Sequence, residues 1–191
     1  MVRITDAIAK DHRLLESYYE TIVSTEDADE RTRFQNQFTW ELARHSVAEE
    51  LVVYPAMAKY LRNGDQPVDQ DRQEHQTLKE RLKVFQDLKC SDPRFIPTIT
   101  MLMNDLSKHI HDEETMDLVK LEGAITAEES SRLAKSLKRT KIFAPSRAHP
   151  EAPDRPPFET AVGLLVAPFD HLQDILRKWP DNVFYLDPSL D

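Results

Sequence analysis

The sequence predicts an all-α protein: an up-down-up-down four-helix bundle followed by a Pro-rich strap and short helices. Three observations predict it. The chain has 191 residues but only three Gly, and its 12 Pro crowd toward the C-terminal third. Ala, Leu, Glu, Lys and Gln, all good helix formers, dominate the first two-thirds. Apolar residues recur every three or four positions over four long stretches, each closed by a polar or Pro/Gly-containing break. The expected division is a bundle over residues 1–124 and an extension over 125–191 that packs back on it.

The first helix is expected from about Thr5 to Ser24, with Ile4, Ile8, His12, Leu15, Tyr19 and Ile22 on its core stripe. His12 stands where an apolar residue is expected. The polar run Thr25 to Asp29 is the turn. The second helix, about Asp29 to Arg62, carries Phe38, Leu42, His45, Glu49, Val52 and Ala56 on one face. Pro55 inside it should bend it or loosen one turn. Asn63-Gly64-Asp65-Gln66-Pro67 is a stop.

The third helix, about Val68 to Lys89, has the stripe Val68, Asp71, His75, Leu78, Leu82, Phe85 and Leu88. Ser91-Asp92-Pro93 stops it and starts the fourth, with Pro93 at the first helical position. That helix is expected to reach Glu122, with Phe95, Ile99, Leu102, Leu106, His109, Glu113 and Met116 inward and Gly123 at its close. Thr126 and Glu129 form a capping box that opens a fifth helix ending near Lys141. Ala144 to Pro157 holds five Pro and is extended. Phe158 to Trp179 is apolar again and reads as one or two short helices interrupted at Pro168.

The formal net charge of −9 provides no basic stripe for phosphates, so nucleic acid is not an expected partner. Cys90 is the only cysteine, which excludes an internal disulfide and a thiolate metal cluster and fits a reducing compartment. The first residues enter an amphipathic helix without an apolar signal core, and no 18-residue apolar run exists. A cytoplasmic location with no membrane span is the expectation.

The polar residues on the core stripes carry the chemistry. On a helix, residues four apart share a face, so His45 and Glu49 point into one volume, and His109 and Glu113 repeat the pair. In an antiparallel bundle, residues equidistant from a turn lie at one height. His12 and His45 are symmetric about residues 28–29, and His75 and His109 about residue 92. Glu49 and His75 are symmetric about residue 62. The four helices therefore deliver His12, His45, Glu49, His75, His109 and Glu113 to nearly one level of the core. Buried carboxylates are costly unless paired or metal-bound. Four imidazoles and two carboxylates suit iron or manganese, with zinc a further occupant, and two carboxylates able to bridge suggest two metals.

Each histidine alone would read as an ordinary core or boundary residue; the matched heights on four helices favour the metal. His111, about 200° from His109, should face outward. Glu50 and Glu114 sit at the edge of the inward face, able to hydrogen-bond ligand imidazoles but expected to point to solvent. His149 and His171 are expected to be structural or solvent-facing.

These residues resemble the haemerythrin-like (HHE cation-binding) domain family. The matching pieces are Asp11-His12, His45 to Glu50 followed by Val53-Tyr54-Pro55-Ala56, Glu74-His75, and His109 to Glu114, over about Ile4 to Glu122. The resemblance implies a non-haem di-iron centre bridged by the glutamates, with His12 and His45 on one iron and His75 and His109 on the other. Oxygen-carrying members place a second His four residues after the third-helix His; here that residue is Lys79. One iron is thus expected to lack a protein ligand, with Lys79 swung away from it or deprotonated.

The segment from Ala127, notably Pro145-Ser146-Arg147 and His149-Pro150, looks like the extension of longer family members. Its role is open between packing on the bundle, a lid over the metal site and a partner- or membrane-surface role. The functional expectation is activation of O2 or peroxide, as an oxidase or oxygenase on a small organic molecule. The alternatives are an iron/oxygen-binding store or sensor without turnover, and a metal-free structural bundle.

Overall fold

The structure, a computed structural model, describes residues 1–61, 65–151 and 158–181. It is all-helical, with no strand among the described residues. The bundle consists of α1 (Ile4–Ser24), α2 (Ala28–Ala48), α3 (Tyr54–Tyr60), α4 (Asp65–Gln86), α5 (Phe95–Asp112) and α6 (Leu118–Ala124). Two π-helical turns, Glu49–Val53 and Glu113–Asp117, join α2 to α3 and α5 to α6, so that each pair forms one long rod. The extension adds α7 (Ala127–Phe143) and α8 (Phe158–Asp174).

Local chemistry sets the ends. The Asp27 carboxylate accepts the Asp29 N–H at 2.8 Å, capping α2. Asp92 accepts the Arg94 N–H at 2.9 Å at the foot of α5, so helix begins at Phe95 rather than Pro93. Thr126 and Glu129 form the predicted reciprocal box. Helix α4 starts at Asp65, three residues earlier than expected, because Pro67 falls in the first turn, where no intrahelical donor is needed. Of the predicted stop, Asn63 and Gly64 lie outside the described residues.

The π turns are where the sequence reading loses phase. The Tyr54 and Leu118 N–H groups bond the carbonyls of Glu49 and Glu113, five residues back. Each turn therefore inserts one residue into the 3.6-residue period. After Glu49 the fully buried side chains are Glu50, Val53, Tyr54 and Met57, while the expected Val52 and Ala56 also stay buried. After Glu113 they include Leu118, with Asp117 also inward, and Met116, expected in the core, is 45% exposed. Pro55 sits just beyond the first π turn, the loosened turn it predicts; the second has no such cause.

Helix α1 packs on α2 and α4 on α5, and α2–α4 and α1–α5 contacts close the bundle. Two apolar clusters fill it. One gathers Leu15, Leu42, Leu78, Leu82, Phe85, Phe95, Leu102 and Leu106. The other gathers Ile4, Ile8, Ala48, Val53, Met57, Val68 and Leu118. Between them lies a polar layer.

Helix α7 lies along α1 and α2, where Ser130 Oγ accepts the Ile4 N–H at 2.9 Å. The following segment crosses α4: the Ala148 N–H donates to Gln86 at 3.0 Å and Gln76 donates to the Pro150 carbonyl at 3.1 Å. Residues 152–157 of the predicted extended stretch lie outside the described residues. Helix α8 is one helix that runs through Pro168 rather than breaking there. At its C-terminal end the apolar residues do not turn inward as expected: Phe169 and Leu172, with Ile175 and Leu176 just beyond the helix, are exposed. The opposite face is held by polar bonds instead. Asp170 pairs with His149 at 2.9 Å and Asp174 with Arg147 at 2.8 Å, and burying those carboxylates directs the apolar side outward.

Candidate metal centre

The polar layer holds all six residues that the stripes predicted. His12, His45, His75 and His109 come from α1, α2, α4 and α5; Glu49 and Glu113 open the two π turns. None of the six is more than 2% exposed. The layer is brought to one height by the antiparallel pairing of helices of matched length.

Each imidazole uses its two nitrogens differently. The Nδ1 atoms face outward onto carboxylates: His12 to Glu114 at 2.7 Å, His45 to Asp11 at 3.3 Å, His75 to Glu50 at 3.2 Å and His109 to Glu74 at 3.0 Å. Such a bond places the proton on Nδ1 and turns the Nε2 lone pair inward, the tautomer a metal needs. Inside, His12 Nε2 is 3.4 Å from Glu113, His45 Nε2 is 3.2 Å from Glu49, and His75 Nε2 is 3.4 Å from Glu49. His75 and His109 bring their Nε2 atoms within 3.1 Å of each other.

These inner contacts set acceptor against acceptor. His12 Nε2, His45 Nε2 and all four carboxylate oxygens of Glu49 and Glu113 are buried without a hydrogen-bond partner. Lone pairs converging in a dry space need a cation between them, a proton or a metal ion. His12, His45 and Glu49 offer ligand atoms within 4.8 Å of one another, as do Glu49, His75 and His109. Glu49 belongs to both trios, the position of a bridging carboxylate. The donor set fits a pair of borderline divalent or trivalent metals.

The electrostatics agree. Burial, then the facing Glu113, pushes the Glu49 carboxyl well above its usual range. Burial likewise raises Glu113, against the pull of His109 and His45. Burial and the neighbouring His45 push His12 down to about 2, and burial pushes His75 down to about 3 against its bond to Glu50. His109 is raised: burial opposes this but is outweighed by the Glu74 bond and the charges of Glu113 and Asp71. A bound cation would reverse the preference of the carboxyls for their protons.

Two sequence expectations change. Glu50 does not face solvent; it is fully buried between His75 and Lys79, whose Nζ is 2.6 Å from Glu50 Oε2. The π turn rotates it inward, and the ion pair satisfies its charge. Lys79 is directed at Glu50, consistent with its being turned away from a metal. Glu114 is partly buried and holds His12 and Arg13. His111 is exposed, as expected, and His149 and His171 bond within the extension.

Asp11, Glu74, Tyr54, Asp71 and Lys141 had no site role assigned from the sequence, although the first three lie in the pieces that carry the resemblance. Asp11 and Glu74 each precede a site histidine in sequence, the one signal available, yet each serves the histidine of the next helix. The Tyr54 hydroxyl lies 3.0 Å from His75 Nε2 and 3.2 Å from Nδ1, brought there by the π turn.

A four-helix bundle with a buried four-histidine, two-carboxylate layer defines a helix-bundle metal-binding protein. The chain belongs to the haemerythrin-like family: residues 3–121 match the Hemerythrin HHE cation binding domain, and the rest forms an additional C-terminal region. It is 52% identical over 181 residues to an uncharacterized hemerythrin-like protein of Schizosaccharomyces pombe, covering 94% of this chain and 89% of that one. It is 23% identical over 141 residues to a DNA nickase of Nostoc sp., covering 73% of this chain but 39% of that protein. The fold is similar to the crystal structure of a Hemerythrin HHE cation binding domain-containing protein from Mycobacterium kansasii, with a TM-score of 0.64 at 18% identity, covering 74% of this chain and 89% of that one. No helix among the described residues is long and apolar enough to cross a membrane.

Proposed function

We propose that this chain is a non-haem di-iron protein that binds and activates O2 or peroxide. His12, His45, Glu49, His75, His109 and Glu113 would hold the metals, with Glu49 shared between the two histidine pairs and Glu113 beside His12. The observation that carries the reading is the convergence of unpartnered inward atoms from His12, His45, Glu49 and Glu113 in a dry layer. Two irons held there would supply electrons to bound dioxygen or peroxide.

The chain's own groups do the rest. The outer carboxylates hold each ring in its ligating tautomer. The apolar clusters above and below exclude water. Lys79, paired with Glu50, stands where a ligand histidine would be expected and supplies none, which would leave room at one metal for a small oxygen species. Oxidase or oxygenase chemistry on a small organic molecule extends this reading and requires an opening, because no cage residue is more than 2% exposed. That same closure favours a second reading, an iron store or sensor without turnover.

Anaerobic loading with Fe2+ followed by air tests the proposal. The expected result is about two irons per chain and oxidised di-iron absorption bands on exposure to air. Two irons without any spectral change in air would leave the storage reading.

A further inference from the structure

The four imidazoles are backed by a second ring of charges with one gap. Asp11, behind His45, bonds Lys141 at 2.7 Å; Glu50, behind His75, bonds Lys79 at 2.6 Å; Glu114, behind His12, bonds Arg13 at 2.8 Å. Glu74, behind His109, has neutral Gln70 at 3.1 Å instead. Lys108 acts on Glu74 only through space and forms no ion pair with it.

Where the other three carboxylates meet a cation, Glu74 meets another carboxylate. Asp71, three residues earlier on the same face of α4, is 5% exposed, and its Oδ2 is buried with no hydrogen-bond partner. Asp71, Glu74 and His109 offer ligand atoms within 4.8 Å of one another. Asp117 adds negative charge to Asp71 from the second π turn. The Glu74 side chain, 22% exposed, opens this group to solvent, whereas His109 turns its other nitrogen to the cage.

We infer that Asp71 and Glu74 form a third cation site, outside the cage, that takes a hydrated divalent metal. The carboxylates supply its oxygen ligands, water completes the shell, and His109 is the wall between this site and the cage. The metal fills the place that Lys141, Lys79 and Arg13 fill behind the other rings. Partial hydration and few protein ligands make it the weakest of the three positions and suit it to loading the cage. The inference rests on the proposed cage only in that shared wall.

Titration of the full chain with Mn2+, followed by the magnetic resonance signal of the free ion, tests it. Wild type should bind a third equivalent more weakly than the first two. Asp71→Asn should weaken that equivalent by about tenfold or more and leave the other two. Asp71→Glu, which keeps the carboxylate, should retain it, and unchanged helical circular dichroism of Asp71→Asn separates ligand loss from unfolding. With the cage removed by His45→Ala and Glu49→Ala, one weak equivalent should remain and disappear when Asp71→Asn is added. Equal binding by wild type and Asp71→Asn would overturn the third site. Binding unaffected by the His45 and Glu49 changes would instead overturn the cage.

Discussion

Lys141 of the extension and Asp11 of α1 form a partly buried ion pair, Nζ to Oδ2 at 2.7 Å, and the same Asp11 oxygen holds His45 Nδ1 at 3.3 Å. Lys141 also bonds Glu41 of α2. The C-terminal region is thus two contacts from the centre of the cage. Burial alone would raise the Asp11 carboxyl and lower the Lys141 ammonium. For each, the opposite charges outweigh it: Lys141 and His45 hold Asp11 low, and Glu41 and Asp11 hold Lys141 high.

Lys141→Met therefore leaves two buried carboxylates without their cation. It should destabilise the protein by about 3–5 kcal/mol, read from denaturant unfolding. It should also weaken metal binding by about tenfold or more through the loosened Asp11–His45 bond. Lys141→Arg keeps the charge and should recover most of the metal affinity. A Lys141→Met protein as stable as wild type would show that Asp11 and Glu41 do not need the ammonium.

Glu50 is fully buried, and Lys79 is its charge partner. Lys79→Met should cost about 3–5 kcal/mol, whereas pairing it with Glu50→Gln should restore part of that loss. The readout is a double-mutant cycle in thermal or denaturant unfolding. Additive losses would mean that the two residues do not interact.

Metal binding should release protons, and the protons should come from the Glu49 and Glu113 carboxyls and from His109, which is raised despite burial by its Glu74 bond and the charges of Glu113 and Asp71. Burial raises Glu49 and Glu113, so in the metal-free protein they contribute stability below their ordinary range that is lost as pH rises through the raised values. His12 and His75, pushed down to about 2 and about 3 chiefly by burial, are neutral near pH 7 and release nothing. Metal affinity, and the rise in Tm that metal gives, should therefore increase with pH across the neutral range. Calorimetry in buffers of different ionisation enthalpy counts the protons. A pH-independent affinity would contradict this assignment.

The fold and the cage were legible because both are periodic. Four apolar stripes gave the helices, and His12, His45, His75 and His109 stood on those stripes at heights fixed by the turns. What lay beyond the sequence depends on relations between helices. Asp11 serves His45, Glu50 serves His75, Glu74 serves His109 and Glu114 serves His12, a circuit in which each helix supports the ring of its neighbour. No spacing within one helix encodes that. Pro55 marked a loosened turn near the first π turn, but the shift in phase was not legible: one inserted residue leaves composition unchanged while moving Tyr54 onto His75 and Met116 to the surface. At the C-terminal end of α8, Phe169 and Leu172 suggested burial, but Asp170 and Asp174 are the buried side chains there.

Six side chains from four helices are proposed to hold two metals. The most direct measurement is the iron content per chain of the protein as purified and after anaerobic reconstitution, beside Glu49→Gln and Glu113→Gln. Glutamine keeps the shape and removes the bridging charge. Wild type should hold about two irons and each variant clearly fewer, with helical content unchanged. Equal iron content in wild type and both variants would contradict it.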